Sequence, residues 1–216
     1  MSFNKNRRGF TLVELMVVIG ILGLLVGILA VAVLPKLMSA KGDLEKKQMG
    51  ELAQALELTQ NDTKSKTKLK NMGEKTGRAF WSDCFKFHIL EHEMIKKVVC
   101  LGSAAGDSAA DSAVFEEGGK GLEEGNCSYT SPKGAELATV INLKGSKKVV
   151  MITFDSRNWS SYKDKGALCS WTEGGTDYMD QAIAEQSHKI NSTDWDNPKT
   201  LLGQKYPFNK TFEEKR

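Results

Sequence analysis

One carboxylate lies in an otherwise apolar stretch near the start of this chain. Between Phe10 and Leu34 the polar side chains are Thr11 and Glu14, and Glu14 carries the one charge of that stretch. A carboxylate in hydrocarbon is costly unless it is paired, so its chemistry would be that of an ion pair with a cation supplied from elsewhere. The alternative is that Glu14, only one turn into the stretch, reaches the lipid headgroups and does nothing further.

Few other residues have the spacing that catalysis or metal binding requires. His88 and His92 are four residues apart, beside Glu91 and Glu93, and that spacing could bind zinc on one helical face. The metalloprotease pattern has its glutamate directly after the first histidine, where this chain has Ile89, so we expect no metal there. The chain also shows no nucleophile elbow, phosphate-binding loop or paired-carboxylate site. We therefore expect a protein that is not an enzyme.

The residues around Glu14 form a recognisable motif. Gly9-Phe10-Thr11-Leu12-Val13-Glu14 follows a basic leader that contains Lys5, Arg7 and Arg8, and an uninterrupted apolar run follows it. This arrangement resembles the processing site of the type IV pilin and type II secretion pseudopilin superfamily. The resemblance implies that a prepilin peptidase cuts the bond between Gly9 and Phe10 and methylates the new amine of Phe10. It also implies a partner for Glu14, namely the amine of Phe10 in a neighbouring subunit, so that Glu14 would set the register of assembly.

The same resemblance implies a structural role. The subunit would stay in the inner membrane until an assembly platform and its cytoplasmic ATPase extract it into a filament of a type II secretion or type IV pilus system. The implied partners are identical or related pilin-like subunits, the prepilin peptidase, that platform and ATPase, and membrane lipid. Relatives of these proteins take up DNA, so a competence pilin is an alternative. Nucleic acid is nevertheless not an expected partner, because no aromatic residues interleave the lysines of the basic stretch Asn61–Arg78.

A membrane-anchored or secreted periplasmic binding domain is the alternative from another class. Ala30-Val31-Ala32 fits a secretory cleavage site that would release a chain starting at Val33, and Arg7-Arg8 loosely matches a twin-arginine signal. The apolar run is longer than the usual signal sequence and contains an acid, which argues against cleavage there. In this alternative the N-terminal segment is a passive anchor or signal, and Glu14→Ala should be tolerated.

The elements that position these residues begin with a membrane span. Residues 10–34 are long enough to cross a bilayer as a helix, and the preceding basic residues should keep the N-terminus in the cytoplasm and the rest in the periplasm. Within the span, Gly23 and Gly27 form a G-x-x-x-G pair that, with Gly20, allows close helix packing. We therefore expect a leader over residues 1–9 that is removed, a long helix over 10–60 and an exported globular head over 61–216.

The second half of the predicted helix is amphipathic. Its apolar positions Leu37, Leu44, Leu52 and Leu56 recur at helical spacing, with Lys41, Asp43, Glu45, Lys46, Lys47 and Glu51 between them. Pro35 could kink the helix where the membrane half meets this half, and it lies about one turn further from the cleavage site than in many relatives. The predicted fold is α+β and pilin-like, with a small antiparallel sheet packed on the amphipathic half.

The head is predicted in less detail. We expect a solvated polar loop over Asn61–Arg78, one helix over Phe80–Leu101 and a flexible surface loop over Gly102–Gly125. Two β-branched runs, Glu136–Leu143 and Lys147–Phe154, flank Lys144-Gly145-Ser146 and predict a hairpin at the centre of the sheet. The remainder should contain one or two short strands and a helix near Asp177–Lys189.

Cysteines and acids of the head complete the candidate sites. Cys84, Cys100, Cys127 and Cys169 fall on the exported side, where disulfides persist, and four cysteines allow three pairings between which the sequence does not choose. The major secretion pseudopilins carry calcium in a C-terminal loop, but Asp194, Asp196 and Asn197 do not match that loop residue by residue. A surface turn is the default there, and calcium is the one cofactor that we consider.

Overall fold

The fold was analysed in a computed structural model that describes residues 10–101, 106–142, 150–154, 166–172 and 175–188. The chain divides into two compact units, Met1–Gly42 and Asp43–Arg216. Helix α1 (Leu12–Thr59, 48 residues) begins in the first unit and ends in the second, as the sequence predicts for the long N-terminal helix.

The part of α1 that lies in the first unit exposes its apolar side chains. An 18-residue window has a mean hydropathy of 3.1, and none of that window is buried within the chain. The helix is therefore long and apolar enough to cross a membrane. It also continues through Pro35, which lacks the N–H that would bond to the Val31 carbonyl. An apolar surface of this extent requires lipid or other protein chains around it.

The part of α1 in the second unit is amphipathic, as predicted. Met49, Leu52 and Leu56 lie on one stripe of the helix and are fully buried, whereas Leu58 points away and is 60% exposed. The buried stripe belongs to the same core as Ile152 of the sheet. Burial of such a stripe contributes most of the stability of a surface helix, at about 1.5 to 3 kcal/mol for each large side chain.

Among the described residues, the sheet has four antiparallel strands in the order β1-β2-β3-β4. These are β1 (Tyr129–Thr130), β2 (Val150–Phe154), β3 (Ala167–Trp171) and β4 (Gly175–Met179). Tyr129 pairs with Phe154, Thr153 with Cys169 and Cys169 with Asp177. The predicted α+β fold with a small antiparallel sheet is confirmed.

The predicted central hairpin is wrong in its first arm. Residues 134–136 form a 3₁₀ turn and α4 (Leu137–Ile141) follows it, whereas the second arm supplies strand β2. Leu137 and Val140 are buried at a spacing of three, which suits a helical turn packed on one side. A short apolar run fits either structure, and here packing against the rest of the head decides for the helix. The predicted turn at 144–146 lies outside the described residues.

The predicted polar loop over Asn61–Arg78 is also wrong, because it contains helix α2 (Thr63–Asn71). Asp62 is the N-cap of this helix, and its carboxylate accepts hydrogen bonds from the Lys64 and Ser65 amides at 3.3 and 2.9 Å. Leu69 is buried and anchors the helix to the head. The local sequence signal for this helix is the Asp62 cap, because Ser and Thr alternate with the lysines that follow and give no strong helix propensity.

The single helix predicted over Phe80–Leu101 is interrupted. Helix α3 (Gly77–Lys86) ends before His88, whose positive φ of 49° turns the chain, and a 3₁₀ helix (His92–Val98) follows. An apolar pattern that continues across the turn does not reveal such a break.

Two further predictions, the surface loop over Gly102–Gly125 and the helix near Asp177–Lys189, are partly confirmed. The described part of the loop over Gly102–Gly125 includes a 3₁₀ turn (Ser112–Phe115), and Phe115 and Leu122 bury themselves in the core. The helix predicted over Asp177–Lys189 is α5 (Gln181–His188), and strand β4 occupies the first residues of that range.

Candidate functional site at the N-terminus

The carboxylate of Glu14 is held at the start of α1 by Thr11. The Thr11 amide N–H donates to Glu14 Oε2 at 2.9 Å, and the Thr11 hydroxyl donates to the same oxygen at 2.8 Å. In return, the Glu14 amide N–H donates to Thr11 Oγ1 at 3.3 Å. This reciprocal arrangement is a capping box, in which a threonine at the N-cap and a glutamate three residues later satisfy each other's groups.

The capping box places the charge at the positive end of the helix dipole. Carboxylates are favoured in the first turn, where free amide groups point outward. The signal for this box in the sequence is Thr-x-x-Glu directly before an apolar run, which assigns Thr11 a role beyond those expected for Gly9, Phe10 and Glu14. Phe10 precedes the box and is 78% exposed. Gly9 and the basic leader lie outside the described residues.

The comparisons with known proteins concern this same segment. Residues 4–30 match the family model described as the prokaryotic N-terminal methylation motif. The chain carries the prepilin-type cleavage motif of type IV pilins and pseudopilins. No curated protein and no solved structure matches the chain. The motif supports a pilin-like or pseudopilin subunit and, together with the apolar helix, supports anchoring in the inner membrane.

The glycines of the motif-bearing helix have open surroundings. A Cβ atom added at Gly20, Gly23 or Gly27 would meet nothing within 4 Å. At spacings of three and four residues, the three glycines lie on one face of α1. Nothing in the described part of this chain therefore requires glycine there, and any packing role would concern another chain.

A second carboxylate, on the head part of α1, is fully buried. Glu45 Oε1 accepts the Leu101 amide N–H at 2.8 Å, and Glu45 Oε2 lies 3.5 Å from the Tyr178 hydroxyl that donates to it. Glu45 thereby joins α1 to strand β4 and to the segment after the 3₁₀ helix. Its neighbours in the sequence, Asp43, Lys46 and Lys47, are charged, and Glu45 alone of them is fully buried. Its position four residues before Met49, on the stripe that Leu52 and Leu56 continue, was the available signal.

Two tyrosine hydroxyls near Glu45, those of Tyr178 and Tyr129, have raised pKa values. Burial raises the pKa of Tyr178, and the neighbouring Glu45 carboxylate raises it further. Burial also raises the pKa of Tyr129, with Glu45 again contributing. Lys46 lies beside this group, with its Nζ 5.2 Å from the centre of the Tyr178 ring and 2.6 Å from Asp177 Oδ1. The contacts fix α1 against the edge of the sheet.

The cysteines are distributed through the core of the head. Cys84, Cys100, Cys127 and Cys169 are all buried, and none is joined in a disulfide in the structure, so the predicted bridges are not confirmed. Burial raises the pKa of Cys169 to about 12. Burial likewise raises the pKa of the Cys84 thiol, and the adjacent Asp83 adds to that effect.

The candidate metal residues do not form a site in the described part of the chain. No group of three or more potential ligands occurs among the described residues. His88 and His92 stack with their ring centres 5.1 Å apart, and His92 Nε2 lies 3.3 Å from the Phe85 carbonyl. His88 lies in the turn and His92 begins the 3₁₀ helix, so the two histidines are not on one face of a single helix. The acidic cluster at 194–197 lies outside the described residues.

Proposed function

We propose that the chain is a structural pilin-like or pseudopilin subunit of a type II secretion or type IV pilus system. In this proposal a prepilin peptidase cleaves the Gly9–Phe10 bond, the new Phe10 amine is methylated, and the mature chain enters a filament. The observation that carries the proposal is the methylation motif over residues 4–30, which places one capped carboxylate at the start of a bare apolar helix.

The exposed apolar surface of α1 could be covered in two successive environments, the membrane and the filament. None of its most apolar window is buried within the chain. Before assembly lipid would cover it, with the N-terminus in the cytoplasm and the head in the periplasm. After assembly the same surface would pack against other subunits. Extraction from the membrane would be driven by the assembly platform and its cytoplasmic ATPase.

The capping box supports a role for Glu14 in both environments. In lipid, the two Thr11 donors would reduce the cost of the carboxylate without neutralising it. At the base of a filament, the methylated amine of a neighbouring Phe10 would supply the missing positive charge. A subunit inserted out of register would leave the Glu14 carboxylate unpaired in an apolar environment. The free-energy cost of that unpaired charge would favour the correct axial offset.

The test is the N-terminal residue of the mature protein, read by mass spectrometry of membrane and filament fractions. We expect a chain that begins with N-methylated Phe10, and we expect Gly9→Leu to leave the leader attached. Glu14→Ala is the matched variant, because it should be processed and inserted normally yet fail to enter filaments. A mature chain beginning at Val33, or an uncut Met1 in assembled material, would overturn the proposal and favour a passive signal or anchor.

A further inference from the structure

Helix α2 presents a strongly basic surface. Its nine residues include Lys64, Lys66, Lys68 and Lys70 and no acid. All four lysines are exposed, with the i, i+4 pair Lys64 and Lys68 on one face and the pair Lys66 and Lys70 on another. Leu69 is buried and fixes the helix to the head. Lys68 Nζ also donates to the Phe87 carbonyl at 2.7 Å. Lys66 and Lys70, one turn apart, form no ion pair within the part of the chain that the structure describes.

A second surface of the head has the opposite charge. The acidic loop, defined as residues 111–124, contains five carboxylates and one lysine, so its net charge is 1 − 5 = −4. That value balances the +4 of α2. The exposed carboxylates of the loop are Asp111, Glu116, Glu117, Glu123 and Glu124. Glu116 and Glu117 form no ion pair with any described residue, and Glu123 pairs with Lys120 of the same loop at 3.7 Å.

The two charged surfaces are carried by different parts of the head. Helix α2 is followed by a turn that packs against residues 134–141, with the Gly134 amide donating to the Lys75 carbonyl at 3.2 Å. The acidic loop packs on α3 instead, through Phe115, whose ring centre lies 5.5 Å from that of Phe85. No ion pair joins the two surfaces within the described residues. Within the described residues, Lys66 and Lys70 of α2 and Glu116 and Glu117 of the acidic loop are therefore charges that no ion pair of their own chain neutralises.

We propose that α2 of one copy of this chain docks on the acidic loop of a second copy. The inference rests on the proposed function, because an open filament requires a heterologous contact between two different, complementary surfaces of the same subunit. Opposite charges of equal size on separate elements meet that requirement, whereas like surfaces of neighbouring copies repel. Charge pairs at such a contact contribute orientation and register more than affinity.

Zero-length cross-linking tests the contact directly. A carbodiimide joins a lysine amine to a carboxylate as an amide, with hydration of the reagent, only where the two groups touch. Filaments are assembled from a mixture of ¹⁵N-labelled and unlabelled full-length mature chain, so that mixed-label peptides report contacts between copies. We expect mixed-label links from Lys66 or Lys70 to Glu116 or Glu117, and we expect them to weaken at high salt because exposed charges are screened.

Charge reversal supplies the second readout. Lys66→Glu/Lys70→Glu should lower the amount of filament by about tenfold, and Glu116→Lys/Glu117→Lys should do the same, since like charges then face each other. The combination of both pairs should restore assembly to within about threefold of wild type, as expected for coupled sites. Lys66→Arg/Lys70→Arg keeps the charge and is the matched control. Cleavage at Gly9 and membrane insertion are measured for every variant and should not change.

The outcomes separate this inference from the function on which it rests. Filaments that form without mixed-label links between α2 and the acidic loop, or that are indifferent to the charge reversals, overturn the contact and leave the subunit role intact. A processed chain that forms no filament in any condition overturns both. A third outcome is that wild-type filaments retain duplex DNA but show no mixed-label cross-links between α2 and the acidic loop, and that the Lys66→Glu/Lys70→Glu variant loses the DNA. In that case α2 binds a nucleic acid and the copy-to-copy contact is wrong.

Discussion

The hydroxyl of Thr11 lies 2.8 Å from Glu14 Oε2, so the one charge of the apolar helix already has a hydrogen-bond donor in its own chain. The backbone N–H of Thr11 contacts the same oxygen at 2.9 Å. A side-chain substitution at Thr11 therefore removes one of these two donors and keeps the other, while a substitution at Glu14 removes the acceptor of both. This difference allows the capping function and the charge of Glu14 to be separated.

A graded series follows from that arrangement. Thr11→Val preserves the shape of the side chain but removes the hydroxyl, and should weaken the N-cap by about 0.5 to 1 kcal/mol. Glu14→Gln keeps an acceptor but loses the charge, and Glu14→Ala loses both. We expect filament yield to fall in the order wild type, Thr11→Val, Glu14→Gln, Glu14→Ala, as measured by shearing and sedimentation. Equal yields for Glu14→Gln and wild type would show that the negative charge has no part in assembly.

A second prediction concerns Glu45, which accepts the Leu101 amide in the interior of the head. Glu45→Ala leaves the Leu101 N–H and the Tyr178 hydroxyl without this acceptor, and should reduce the free energy of unfolding by about 1 to 3 kcal/mol. Glu45→Gln retains an amide oxygen and should cost less. Denaturant titration of the full chain in detergent micelles, followed by tryptophan fluorescence, measures both. Glu57→Ala is the control, because Glu57 is an exposed glutamate of the same helix.

Glu45 differs from the features of this chain that the sequence predicts correctly. The motif around Gly9 and Glu14, the long helix and the small antiparallel sheet were all predictable, because charge within an apolar run and helical periodicity are local signals. Glu45 was missed because a charged residue is ordinarily assigned to the solvated side of an amphipathic helix. Its burial depends on Leu101 and Tyr178, which are distant in sequence and become neighbours only after folding.

The errors in the head have a related cause. The apolar run at 137–141 was predicted as a strand and is a helical turn, because short apolar segments satisfy either period and tertiary packing decides between them. The break at His88 depends on one residue with positive φ, which periodicity does not report. The cap of α2 at Asp62, by contrast, was a local signal that could have been used.

The pH dependence of stability provides a third prediction. The hydrogen bond from Lys46, together with that from the Tyr178 amide, lowers the pKa of Asp177 from its ordinary value of 3.8. A carboxyl with a lowered pKa in the folded state stabilises the fold above its ordinary pKa, and this contribution disappears as the pH falls through the lowered value. The effect should be small, because the Asp177 side chain is 72% exposed.

Lys46→Met tests this assignment. The variant should be slightly less stable than wild type at pH 7, and the difference should begin to shrink below the ordinary 3.8 of Asp177 and vanish once the pH has fallen through the lowered pKa. Denaturation midpoints measured from pH 7 to pH 3 give both curves. A difference that persists unchanged at pH 3 would show that Lys46 acts through its packing over the Tyr178 ring rather than through the carboxylate. Asp177→Asn in the Lys46→Met background should add no more than the small contribution of the carboxylate to the hydrogen bond from the Tyr178 amide.

The last prediction concerns the reactivity of the buried thiols. The thiolate is the reactive form of cysteine, and burial raises the pKa of Cys169 to about 12 and also raises that of Cys84. In the native chain at pH 8, both should therefore resist iodoacetamide, with labelling at least about a hundredfold slower than in denaturant, since reaction requires opening of the core. Peptide mass spectrometry after timed quenching measures each site separately.

The same experiment decides whether the cysteines are oxidised after export. Thiols that are merely buried become labelled as soon as denaturant is added, whereas a disulfide remains unlabelled until a reductant is also present. We expect Cys84 and Cys169 to be labelled in denaturant alone, because each lies in its own part of the core, Cys84 on α3 and Cys169 on β3. Labelling that requires reductant would show a bridge at that cysteine, and the linked peptides in the unreduced digest would identify its partner.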